Sequence, residues 1–103
     1  MMSVERLIEM LDGSDEHDEF HDEFLKFERI ENKRSNRPDL HAFLLLDELC
    51  PGDSDMVDAA EHDEIFLDTS LGDLAKVATE DQIIELIRCG VRISEYDCLA
   101  MFV

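Results

Sequence analysis

The chain predicts an α+β fold, with N-terminal helices packed on a small sheet and a helix pair over residues 70–89 as the crossover. Three observations carry this. Near the start, Val4, Leu7, Ile8 and Leu11 recur at i, i+3, i+4 and i+7, the period of an amphipathic helix. Short apolar runs bounded by turn residues appear late, at EIFLD over 64–68 and in VRISEYDCLAMFV over 91–103. Between those runs stand two helix-start signatures in tandem, from Ser70 to Asp73 and from Thr79 to Gln82. Helices first, then a strand, two helices and a terminal hairpin assemble naturally as an α+β domain with a small sheet. The 103 residues fit a single domain, 1–103, and 45% apolar content supplies a core.

The elements follow in order. Ser3 is the expected N-cap of a first helix, and Gly13 its stop. A longer helix is expected from Ser14 to about Asn36, with Phe20, Phe24 and Phe27 on one stripe. Acids crowd its first half, and five of the nine bases (Lys26, Arg29, Lys33, Arg34 and Arg37) crowd its end. That order would complement a helix dipole, with Asp22 and Lys26 as an i, i+4 pair. Pro38 and Asp39 open the next helix, whose Leu40–Leu49 segment is apolar nearly all round and is expected to be buried between layers. Cys50-Pro51-Gly52 stops it. Residues 53–61 read as a short helix or turn, and 64–68 as a strand. Ser70 and Thr79 cap the helix pair, with Gly90 closing the second helix. Val91–Ser94 and Cys98–Val103 then read as a hairpin whose last strand is apolar on both faces, as a strand covered on both sides would be.

Charge narrows the function. The chain holds 27 acids against 9 bases, a formal net charge of −18. Such a field repels nucleic acid and anionic membranes and attracts basic surfaces. From Pro38 to Ala75 there is no lysine or arginine at all. Acids are densest there around the Pro51-Gly52 break, where apolar periodicity is thin. Asp47, Glu48, Asp53, Asp55, Asp58, Glu61, Asp63 and Glu64 are therefore the expected partner-binding residues. Cys50, Cys89 and Cys98 show no paired spacing and fit reduced thiols. With no signal-peptide pattern and no membrane-length apolar run, a cytoplasmic protein is expected.

Other chemistry is thinly supported. His17 and His21 stand four apart, a spacing used for zinc or nickel on one helix face. No HExxH and no further fixed His or Cys accompanies them, so no metal and no cofactor are expected. Asp53, Asp55 and Asp58 have part of a calcium loop's spacing but lack its glycine and distal glutamate. Cys50 with His41 or His62 as base is a nucleophile arrangement, and a thiol at a buried helix end explains Cys50 better. No GxSxG, P-loop or dinucleotide glycine pattern is present. The reading is non-enzymatic.

Two resemblances bear on this. Thr69-Ser70-Leu71, Leu74-Ala75, Ile83, Leu86-Ile87 and Gly90-Val91 make residues 69–94 resemble one ankyrin repeat, although no proline follows Thr69 and Gly72 replaces the usual histidine. No second copy follows at that period. NRPDLHAFLLLDEL, AAEHDEIFLD and LIRCGVRISEYDCLAMFV are similar to uncharacterised small acidic proteins of bacteriophages. That resemblance implies a host-directed accessory protein and no activity. Together these readings predict a non-enzymatic accessory or inhibitory protein that docks on a basic, nucleic-acid-binding partner, with DNA mimicry as one mode of doing so. The alternative is a structural, self-assembling homodimer built on the Phe20–Phe24–Phe27 stripe or the terminal strand.

Overall fold

The computed structural model describes residues 2–12 and 20–102. Helix α1 spans Val4–Leu11, with the Ser3 Oγ accepting from the Arg6 N–H at 3.1 Å, and it buries Leu7, Met10 and Leu11. The expected stop at Gly13 lies outside the described residues. The helix ends at Leu11, as expected, where the Asp12 N–H donates to the Ile8 carbonyl.

The long helix expected over 14–36 does not form across its described part, and residues 14–19 lie outside the description. Residues 20–36 instead wrap the core in two single 3₁₀ turns, His21–Glu23 and Phe27–Arg29. The break is at Leu25, which sits at φ 63 and donates its N–H to the Ile87 carbonyl at 3.2 Å instead of to a residue four back. One left-handed residue of this kind is incompatible with a continuing α-helix. Phe20, Phe24 and Phe27 still pack inward against the core. Spacings of four and three therefore arise from a wrapped segment as well as from a helix. The bases that were to complement a dipole are used otherwise. Arg29 pairs with Glu23, and Lys33 Nζ donates to the Ile30 carbonyl at 2.7 Å.

Helix α2 spans Pro38–Leu49, with Pro38 at its first turn as expected. It is not buried all round. His41, Ala42, Leu45 and Leu46 form the buried stripe, while Leu40 and Leu44 remain 41% and 42% exposed. That one stripe meets α4 and also Phe27, whose ring lies edge-on to His41 at 5.9 Å.

The segment expected as a short helix or turn contributes a strand instead, β1, Val57–Glu61. Alanine and aspartate carry little strand preference, so periodicity could not reveal it. Pairing with β2, Glu64–Leu67, makes it a strand. The tight link is His62-Asp63, with His62 at φ 56 supplying the positive φ such turns need.

Helices α3, Leu71–Val77, and α4, Glu80–Arg88, then cross over to a hairpin of β3, Arg92–Ile93, and β4, Leu99–Phe102. Ser70 caps α3 by accepting from the Asp73 N–H, and Thr79 with Gln82 completes a reciprocal capping box on α4. The α4 C-terminus closes with two bonds, Gly90 N–H to the Ile87 carbonyl and Val91 N–H to the Leu86 carbonyl, both 3.0 Å. Gly90 at φ 99 is the left-handed residue that this closure requires. The hairpin turn is a three-residue loop, Glu95–Asp97, with Asp97 at φ 58. The Ser94 hydroxyl accepts there from the Tyr96 and Cys98 amides.

The sheet is antiparallel throughout, in the order β1-β2-β4-β3. Ile65, Leu67, Ile93, Leu99 and Met101 share the side that meets the helical core. Glu64, Phe66, Arg92, Ala100 and Phe102 take the opposite side by the two-residue alternation of strands. The last strand is interior and its Leu99, Ala100 and Met101 are buried, as the doubly apolar run predicted.

Candidate binding surface

The surface starts at the end of α2. The Cys50 N–H donates to the Leu46 carbonyl at 2.8 Å, then Pro51 cannot continue the helix. The chain turns back through Gly52 to Met56. Two bonds fix this return against the end of β2: the Ser54 hydroxyl donates to the Asp68 carboxylate at 3.1 Å, and the Asp68 N–H to the Met56 carbonyl at 2.8 Å. Between them opens a shallow cleft of about 180 Å³ whose lining includes Asp47, Cys50, Asp68 and Asp73. Burial, reinforced by the Asp73 carboxylate, raises the Cys50 thiol above its ordinary pKa.

From Met56 the chain runs directly into β1, one of the two edge strands of the sheet, and all five of its residues are exposed. Its register slips between Val57 and Ala59, a β-bulge at Asp58. At its far end Glu61 approaches the loop of the other hairpin. There the negative charges of Glu61 and then Glu95 raise the Tyr96 hydroxyl. Tyr96 is 60% exposed and meets Phe66 edge-on at 5.6 Å between ring centroids. One exposed strand thus links an acidic cleft to an acidic turn.

The eight residues expected to bind a partner divide into two groups. Asp47, Asp53, Asp55, Asp58 and Asp63 are exposed, and among the described residues none of their carboxylates has an ion-pair or hydrogen-bond partner. The other three each have a basic side chain beside them. Glu48 pairs with Arg34, Glu61 lies 3.5 Å from His62, and half-buried Glu64 pairs with Arg92. Arg92 also covers the Phe102 ring at 4.2 Å. Asp68, Asp73 and Glu95 join the surface through folding. Glu95 lies 31 positions beyond Glu64, and only the pairing of the two hairpins relates them.

The remaining candidates fall elsewhere. His17 lies outside the described residues, and among the described residues no group of three His, Cys, Asp or Glu could hold a metal ion. His21 lines a larger cleft of about 630 Å³ with Asp22, Lys26, Arg92 and Phe102. His41 is fully buried and held on both sides. The Arg34 N–H donates to its Nδ1 at 3.0 Å, leaving Nε2 to donate to the Glu85 carboxylate at 3.3 Å. Its imidazole therefore serves the fold and is not available to Cys50. On the two candidate self-association surfaces, the phenylalanines are partly buried against the core, and β4 has strand neighbours on both sides with Phe102 60% exposed at its end.

No protein-family model matches the chain, and no curated protein and no solved structure is significantly similar to it.

Proposed function

We propose that the protein is a non-enzymatic acidic binding module that docks on the basic surface of a nucleic-acid-binding protein, as an accessory or inhibitor. The observation that carries this reading is the set of exposed carboxylates Asp47, Asp53, Asp55, Asp58 and Asp63, without ion-pair or hydrogen-bond partners among the described residues, in a segment with no lysine or arginine. By contrast, five arginines of this chain (Arg6, Arg29, Arg34, Arg88 and Arg92) are tied in ion pairs. Five of the nine bases are thus used within the fold while these carboxylates are left on display. A partner that normally binds duplex DNA meets a charge every ~1.7 Å of axis. Asp53, Asp55 and Asp58 stand within six residues of one another, a denser run of carboxylates than scattered acids would give.

Affinity chromatography on the immobilised chain tests it. Basic nucleic-acid-binding proteins should be retained at low salt, released as salt rises, and displaced by duplex DNA. Retention should fall in the D53N/D55N/D58N variant. Partners that ignore both salt and the triple variant would defeat the reading. The second reading, a homodimer, rests on the exposed pair Leu40 and Leu44 on α2, and a strict monomer by light scattering at high concentration would remove it.

A further inference from the structure

Resting on that reading, we infer that the recognition element is the free edge of β1, and that it takes up a basic extended peptide segment of the partner as an added antiparallel or parallel strand. In a ladder, alternate residues direct their N–H and C=O at the neighbouring strand and the others direct theirs away. β1 has β2 on one side only, and no other main-chain segment among the described residues bonds to its outer side. Outward amides and carbonyls of this kind are a template for strand addition. Ala59 and Ala60 have side chains too small to cover them.

Charge selects the occupant. Asp55 and Asp58, at the start and the bulge, and Glu61 and Asp63, at the far end, bracket the two alanines with acids. An incoming strand bearing lysine or arginine at alternate positions would meet carboxylates at both ends. A second copy of this chain would bring the same acids and a further net charge of −18 to the same edge. The bulge and acids that block self-pairing are devices by which edge strands avoid aggregation, and they leave the edge open to a strand of opposite sign.

The test uses the intact chain and a short synthetic peptide alternating lysine and threonine, beside the same peptide N-methylated on the amides of one edge. The unmodified peptide should bind in a salt-dependent way, and its binding should slow exchange of outward amides in β1. The methylated peptide keeps every charge but cannot complete the ladder, and should bind at least about tenfold more weakly, the worth of one or two main-chain hydrogen bonds. Equal, salt-dependent binding of both peptides would overturn strand addition while leaving the acidic docking surface intact. No salt-dependent binding of either would overturn both. Dimerisation of the chain alone through β1 would also overturn the inference, assigning the edge to self-association.

Discussion

Gly90 does two jobs at once. Its φ of 99 turns the chain out of α4, and its missing side chain admits Leu25, since a Cβ there would lie 2.8 Å from the Leu25 Cδ2. Leu25 is the residue that bends the 20–36 segment, and its N–H shares the Ile87 carbonyl with Gly90. The Gly90→Ala variant should therefore be destabilised by about 1–2 kcal/mol from the backbone alone, with the contact adding to that. Urea unfolding measures this. An unchanged midpoint would mean that neither the left-handed turn nor the close approach matters. The thiols follow the same local logic. Burial, and the Glu85 carboxylate after it, push Cys89 up to about 12, so native Cys89 should resist alkylation at pH 8 and react once the chain is unfolded.

At the scale of elements, the wrap over residues 20–36 is pinned to α4 by charge as well as by packing. Glu23 accepts from Arg88 at 2.9 Å and also from Arg29. Its pKa lies below the ordinary 4.5, chiefly through the Arg88 hydrogen bond, with Arg29 adding to it against the opposing effect of burial. A carboxylate lowered in the folded state stabilises that state above its unfolded pKa. The contribution is lost as pH falls through the lowered folded value. The Glu23→Gln variant should thus lose stability near neutral pH and show a flatter acid limb below about 4.5 than the parent. Parallel acid limbs in thermal melts would show that the pairing is idle.

These same elements mark what was legible. Helices α1, α3 and α4 were readable because each has a capping Ser or Thr followed by a helix-period apolar face, and local signals of that kind survive folding. The terminal hairpin was readable from its alternation and its Glu95–Asp97 turn. The 20–36 wrap was not, because the phenylalanine stripe has the same spacing on a helix and on a chain held by a bond from Leu25 to Ile87. β1 was hidden for a related reason. Its Val-Asp-Ala-Ala-Glu owes strand geometry to β2 and to His62 at positive φ. The acids of the proposed binding surface were legible as a composition. Which of them stay free depended on where Arg34 and Arg92 reached, and only the fold decides that.

Across the whole molecule, a net charge of −18 on 103 residues sets the terms. Like charge repels within the compact state, and salt relieves it. Raising salt from about 0.01 M to about 1 M shortens the screening length from about 30 Å to about 3 Å. The Tm should therefore rise, by about 4–8 °C for each kcal/mol of repulsion relieved. A flat or falling Tm would mean that the arginine ion pairs outweigh the repulsion. Solubility and self-avoidance follow from the same field, as does attraction to a basic partner. A field alone does not distinguish one acidic face from another, so the central claim is local: docking uses the free carboxylates around β1.

The most direct test compares two variants of equal charge. D53N/D55N/D58N removes three acids from the segment that leads into β1 and its bulge. E5Q/E28Q/E31Q removes three exposed acids from α1 and the 20–36 wrap. Affinity for the alternating lysine–threonine peptide, measured across a salt series, should drop and lose salt dependence in the first variant and stay near the parent's in the second. Equal losses in both would contradict the account, reducing the binding surface to net charge.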